Sequence, residues 1–324
     1  MAMFSDMKIF VTLTLLVLGY QAASATSLLE TFGSGANAFT MEFVTIGNPN
    51  NAADTTGSPN SAGSVAYSYN LGMYEVSRDQ ITKANAAGSL GITMSDMSSY
   101  GGNGLLKPAT GISLYEAAKY VNCLNTSTGG TAAYKFSGST FQLWSAGDAG
   151  YNANNMFRNS LAKYVIASSN EWYKGAYGNP DGSWSNFPNG TDIAPTAVAT
   201  GTAASTAVYG QSLSTGPANI NNAGGLSEYG TMAQGGNVWE WMETAYDGSN
   251  NIAGESRELR GGYWGSDPYF GSNRLEASYP YDNYPEIENR AYGFRVASVP
   301  APEPSALSLL AIGLGGFALL RRRK

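Results

Sequence analysis

Gly235-Gly236-Asn237-Val238-Trp239-Glu240-Trp241 decides how the rest of the chain reads. Two tryptophans flank one carboxylate directly after a Gly-Gly pair. On a strand, alternate side chains share a face, so Trp239 and Trp241 point one way and Val238 and Glu240 the other. Rings of this size bury roughly 200 Å² each and suit a core; the other use for them is an aromatic platform for a sugar or peptide. Further on stand Arg260-Gly261-Gly262-Tyr263-Trp264 and then Gly293-Phe294-Arg295-Val296. The planar guanidinium groups of Arg260 and Arg295 are suited to fork onto carboxylates or carbonyls beneath loops.

The 324 residues are 43% hydrophobic and only 13% charged, with 40 glycines and 21 tyrosines. That composition describes a globular, turn-rich chain and argues against disorder in the main body. Removing Lys8, Arg321, Arg322, Arg323 and Lys324 from the 18 basic residues, and Asp6 and Glu303 from the 24 acidic ones, leaves 13 against 22, a body charge of −9. Phosphate backbones would be repelled, so nucleic acid is not an expected partner. There is no histidine, which removes Ser-His-Asp and Cys-His catalysis and histidine-ligated zinc or iron. Cys123 is the single cysteine, so no disulfide can form within the chain and no two-thiol metal site exists. Oxygen ligands remain, and they favour calcium over a transition metal.

Both ends read as addresses. Lys8, the apolar run Ile9 to Tyr20 and Ala23-Ser24-Ala25 follow the layout of a secretory signal peptide, with cleavage by signal peptidase expected after Ala25. At the other end, Pro302-Glu303-Pro304 precedes an apolar run, Ala306 to Leu320, and the basic cluster Arg321-Arg322-Arg323-Lys324. As a helix that run spans roughly 22 Å, short of the ~30 Å hydrocarbon core, which suits a transient membrane anchor with the basic end held on the cytoplasmic side. The segment resembles the PEP-CTERM sorting signal of Gram-negative bacteria. The resemblance implies recognition by an exosortase, cleavage near Pro302-Glu303-Pro304, and release or transfer to the cell surface. A lasting tail anchor is the alternative.

Between the ends, residues 26–36 read as a linker and residues 37–299 as one domain. Phe39 to Ile46 is a β-rich run ending in turn-forming residues at 47–51; Val65 to Val76 is another, leading into a helix near 78–87. Ser113-Leu114-Tyr115-Glu116 and Ser168-Ser169-Asn170-Glu171 are capping boxes opening helices to about Leu124 and Ala176. Beyond residue 177 loops dominate, with short aromatic-rich strands expected at Val238–Glu243, Glu258–Trp264 and Tyr292–Ala297.

In order and spacing, the three blocks resemble the formylglycine-generating enzyme family, also called the sulfatase-modifying-factor family. Tyr74-Glu75-Val76-Ser77, Asn122-Cys123-Leu124 and Ser169-Asn170-Glu171-Trp172 extend the likeness over roughly residues 38–298. It implies an α+β, loop-rich fold in a single domain, related to C-type lectins, here flanked by an N-terminal signal helix and a C-terminal apolar helix. Asn237, Trp239, Trp241, Arg260, Trp264 and Arg295 would be its structural motif. The resemblance also implies a calcium site built from the carbonyls of Gly236 and Val238 and the carboxylate of Glu240, although a further ligand position falls on Ala233; pairing of Glu240 with an arginine is the alternative. The family's oxidase activity needs two copper-binding cysteines, and their positions fall near Ser266 and Gly271. Neither residue is a thiolate, so that activity is not expected. Cys123, on a helix far upstream, reads as a small buried hydrophobe.

These readings point to an exported, non-enzymatic binding or surface-structural protein, with carbohydrate or another envelope component as its partner. Tyr269, Phe270, Tyr279, Tyr281 and Tyr284 would form its ligand surface, since tyrosine supplies contact area at low entropic cost. An enzyme of unfamiliar chemistry is the alternative: a carboxylate-dependent hydrolase drawing on the acidic residues crowding the last third, or, least expected, a sulfatase-modifying oxidase.

Overall fold

The structure, a computed structural model, describes residues 27–265 and 271–300. The signal peptide, the sorting segment (Pro302, Glu303, Pro304, Arg321, Arg322 and Arg323 included), Ser266, Tyr269 and Phe270 lie outside the described residues. Strand β1 (Ser27–Phe32) pairs antiparallel with β2 (Phe39–Ile46), Ser27 opposite Val44 and Phe32 opposite Phe39. Residues 27–32, expected to be linker, are thus an edge strand. Only Phe32 in it is buried, and Leu28 and Leu29 stay exposed, so it has no apolar alternation to announce it. In β2, Phe39, Met41, Phe43 and Ile46 face inward.

Next come β3 (Tyr69–Gly72), α1 (Arg78–Gly88) and α2 (Leu114–Ser127), then a small hairpin of β4 (Lys135–Ser137) and β5 (Thr140–Gln142), then β6 (Tyr164–Ile166) and α3 (Ser169–Tyr177). Each of the three helices begins with a capping box, Ser77 with Gln80, Ser113 with Glu116, and Ser168 with Glu171. The serine accepts from the backbone N–H three residues on, and the longer side chain accepts from the serine N–H. The box at Ser77 adds to the two legible in the sequence.

After α3 the chain is mostly loop. The short parallel pair β7 (Thr196–Ala197) and β8 (Thr206–Ala207) precedes β9 (Trp239–Ala245), β10 (Arg257–Arg260), β11 (Tyr281–Asn283), β12 (Tyr292–Gly293) and β13 (Val296–Ser298). Two larger sheets result, ordered β1-β2-β3-β13-β6 and β11-β10-β9-β12. The stretch expected to be one strand over Tyr292–Ala297 is divided between them. β12 runs parallel to β9, whereas β13 inserts between β3 and β6 with Ala297 opposite both Leu71 and Val165. Phe294 and Arg295 make the crossing. One apolar core, with Phe43, Leu71, Val121, Trp172, Trp241 and Val296 among its members, joins both sheets and the helices.

The two glycine-rich blocks interlock. Gly236 N–H donates to Gly261 O at 2.7 Å, and Trp264 N–H donates to Asn237 O at 3.0 Å. Gly236 has φ +87°, and a Cβ there would lie 2.3 Å from Val208 O. Gly261 has φ +94°, and a Cβ there would lie 2.9 Å from Gln234 O. Only glycine meets both demands. Gly236→Ala is accordingly expected to cost about 1–3 kcal/mol, read as a lowered urea midpoint at unchanged m-value; an unchanged midpoint would show that the turn can relax.

Candidate functional site

The centre of the second sheet is polar and dry. Glu240, on β9, has no solvent exposure, and neither has Arg295. Arg295 Nε donates to one Glu240 oxygen at 2.6 Å and Nη2 to the other at 2.5 Å. The Trp172 indole on α3 donates to the same carboxylate at 2.6 Å. The remaining Arg295 donors reach the carbonyls of Gly72, Met73 and Met232. Beside this pair lies Glu75, buried and accepting from Asn237 Nδ2 at 2.5 Å and Val238 N at 3.2 Å. Burial, and then the charge of Glu240, push the Glu75 carboxyl well above its ordinary range, against the pull of Arg295. Asn237, in the left-handed region at φ +59°, accepts from Ala218 N through its side-chain oxygen.

This geometry bears on the metal expectations. Both Glu240 oxygens are held by a guanidinium and an indole, and Ala233 brings no side-chain oxygen. A calcium ion using Glu240 would have to displace Arg295, so the residues present do not fit that ion. Nor do serine and glycine at 266 and 271 fit copper(I), which prefers soft thiolates. Cys123 sits half-buried on α2, where burial pushes its thiol up.

A second buried cluster binds β9 to α3. Arg158 lies between Glu171 at 3.4 Å and Glu243 at 3.3 Å. Tyr67 donates to Glu171 at 2.6 Å, and Tyr134 donates to Glu243 at 2.8 Å. Burial opposes ionisation of both carboxyls. At Glu171, Arg158 and the donors of Tyr67 and Ser168 outweigh it and hold the pKa below the usual value, whereas Glu243 stays raised.

On the outer side of β9 the chemistry changes. Trp239, Tyr292 and Ala291, all nearly buried, floor a cavity of about 230 Å³. Tyr279 and Tyr281 lean against Trp239, with ring centroids 6.2 and 5.1 Å away. Tyr263, Arg274, Asn289 and Arg290 complete the lining. Asn283 Nδ2 donates to the Tyr292 hydroxyl at 3.1 Å, and burial together with Tyr281 raises the pKa of that phenol. Among the described residues, no carboxylate, thiol or imidazole lines the cavity.

Residues 35–299 match the sulfatase-modifying factor enzyme 1-like domain. The chain belongs to that family. Residues 300–324 match the PEP-CTERM protein-sorting motif, which implies exosortase-mediated processing and export to the cell envelope or surface. Comparison with curated proteins returns no match. Solved structures show the same fold at low identity. Treponema denticola variable protein 1 superposes with TM-score 0.58 at 16% identity, covering 86% of this chain and 100% of its own. CarF gives 0.55 at 16%, covering 80% and 98%. PvdO from Pseudomonas aeruginosa gives 0.50 at 17%, covering 84% and 98%. The α+β, loop-rich family fold expected from the three blocks is the one observed.

Within this family fold the named residues divide into two groups. Gly236, Asn237, Val238, Glu240, Trp241, Arg260, Trp264 and Arg295 are buried. The Trp241 indole donates to Ile112 O at 2.8 Å, and Arg260 pairs with Glu258 and donates to the carbonyls of Ala277 and Ser58. Trp239, Tyr279 and Tyr281 meet at the cavity. Tyr284 is exposed but does not line it. Sequence reasoning overlooked Tyr263, Arg274 and Arg290; the two arginines flanking a tyrosine-rich, acidic stretch were the available signal.

Glu75 supplies a pH test. A carboxyl whose folded pKa is raised contributes its full stability below the ordinary value of 4.5 and loses it as pH climbs towards the folded value. Glu75→Gln cannot titrate. The urea midpoint of the wild type is expected to fall relative to Glu75→Gln as pH rises from about 4.5 to neutrality; a constant gap would remove that titration from Glu75.

Proposed function

We propose that this protein is an exported, non-enzymatic binding protein whose ligand site is the Trp239 cavity, with carbohydrate as the ligand class. One observation carries the proposal: the cavity beside Trp239 is lined by aromatic rings, the Asn289 amide and arginines, with no carboxylate or thiol among the described residues. Arg274, three residues after Gly271, lines that cavity. Aromatic faces beside amide and hydroxyl groups are what a sugar needs, apolar C–H surface stacking on rings and hydroxyls finding hydrogen-bond partners. The Ala23-Ser24-Ala25 site and the Pro302-Glu303-Pro304 motif supply routes out of the cell and to its surface.

The hydrolytic alternative draws no support from the carboxylates that approach one another. Glu75 and Glu240 are 1% and 0% exposed, and Glu171 and Glu243 are locked around Arg158. None lines the aromatic cavity. Acid–base work needs a carboxyl within reach of substrate.

Tyr281, 38% exposed and on the edge strand β11, is the probe. The purified protein is expected to retain ligands on a glycan array. Tyr281→Ala should weaken that retention about tenfold, equivalent to ~1.4 kcal/mol, with little change in melting temperature. A wild-type protein that retains no glycan would refute the proposal.

A further inference from the structure

We infer that the ligand of the Trp239 cavity carries a negative charge, and that its saccharide is acidic, a carboxylate-bearing sugar whose carboxyl group is taken by Arg290. This rests on the reading of the cavity as a sugar site and narrows it to one chemical class.

The argument starts from how this protein spends its cations. The body has 13 basic residues against 22 acidic ones, so a guanidinium has carboxylates in surplus nearby. Nearly all the others are committed. Lys83, Lys135, Arg158, Lys163, Arg257, Arg260 and Arg295 hold carboxylates. Arg78, Lys107 and Lys174 donate to the carbonyls of Ser95, Pro217 and Asn48. Arg290 does neither among the described residues. It is exposed at the cavity rim, and its guanidinium lies over the Tyr100 ring at 4.6 Å. Glu286 and Glu288 are near it in sequence, yet no ion pair forms with either among the described residues. Stacking on a ring restrains the guanidinium while leaving its in-plane N–H groups for an acceptor.

The lining then decides the class. Arg290 at the rim, with no carboxylate in the lining among the described residues, gives this cavity a cationic edge in an acidic protein. Fork-shaped donors match a planar carboxylate in bidentate fashion. The rings of Trp239, Tyr279 and Tyr281 supply the stacking surface, which calls for a ligand with an apolar face, not a bare inorganic anion. A pyranose with a carboxylate on its ring has both.

The test uses the purified protein with hexagalacturonate, its fully methyl-esterified form, and acetate as three titrants followed by tryptophan fluorescence. The acidic hexamer is expected to bind at least about tenfold tighter than the ester, and acetate alone not to saturate. Charge-assisted contacts at an exposed rim are screened by salt, so raising ionic strength should close the gap between acid and ester. Arg290→Gln should bring the acid down to the level of the ester, and Arg290→Lys should recover only part of the difference. Equal binding of acid and ester, or an Arg290→Gln protein that still prefers the acid, would overturn this inference and leave the sugar site standing. Saturation by acetate alone would overturn the sugar part of the inference and keep only the charge. Failure of every glycan on the array, with no effect of Tyr281→Ala, would remove the underlying reading and this one with it.

Discussion

The buried pair of Glu240 and Arg295 is the constraint on which the rest of this structure depends. Glu240 comes from the middle of the second sheet, and Arg295 from the crossing between β12 and β13. The same guanidinium reaches Gly72 and Met73 at the end of β3, and the same carboxylate receives the indole of Trp172 from α3. One ion pair therefore touches both sheets and a helix. Taking two charges out of water costs several kcal/mol per ion, and only good geometry with every donor and acceptor occupied offsets it. Here the fork is bidentate and the leftover donors meet carbonyls. Deleting one partner leaves an uncompensated charge at a cost of about 3–5 kcal/mol, which explains why the Trp-Glu-Trp and Gly-Phe-Arg blocks occur together.

A fold this rich in loops, with one cysteine and no disulfide, needs other cross-links, and arginine supplies them. Arg257 lies over Phe157 at 4.0 Å and donates to Glu243 O, Asn250 Oδ1 and Ile252 O. Arg260 joins the loop carbonyls of Ser58 and Ala277, far apart in sequence. Arg158 separates Glu171 from Glu243. Lysine would not serve equally, because its compact ammonium cannot address several fixed acceptors in one plane. Backbone carbonyls in loops lack ladder partners and would otherwise be buried unpaired. Guanidinium groups convert that liability into attachment points.

How much of this was legible follows from which interactions are local. Helix starts were legible because a capping box closes within four residues, as at Ser113 and Ser168. The family fold was legible because its three blocks keep their glycines, and Gly236 and Gly261 must be glycine for backbone reasons that survive any change of ligand. The strand at Ser27–Phe32 was not legible, since its identity comes from pairing with β2 and not from its own pattern. The division of Tyr292–Ala297 between two sheets was hidden for the same reason: six residues of strand-like sequence say nothing of which neighbour each half will find. Arg290 was overlooked because its place in the lining of the Trp239 cavity comes from tertiary structure, and its position beside a tyrosine-rich, acidic stretch was the one local sign of it.

The two tryptophans of β9 differ in what surrounds them. Trp241 is wholly buried and gives its N–H to Ile112 O, while Glu240 beside it holds Arg295. Trp239, two residues earlier, keeps 4% of its surface at the floor of the cavity. Two residues along β9 thus separate a wholly buried ring from one that lines a cavity. A cavity supported from behind by a satisfied ion pair can change its front without unsettling the fold. The exposed Tyr281 and Arg290 are exchangeable in a way that Glu240, Trp241 and Arg295 are not, because the first two meet solvent while the other three satisfy buried partners. That asymmetry gives a physical reason why a scaffold without its family's thiolates still folds as the family does.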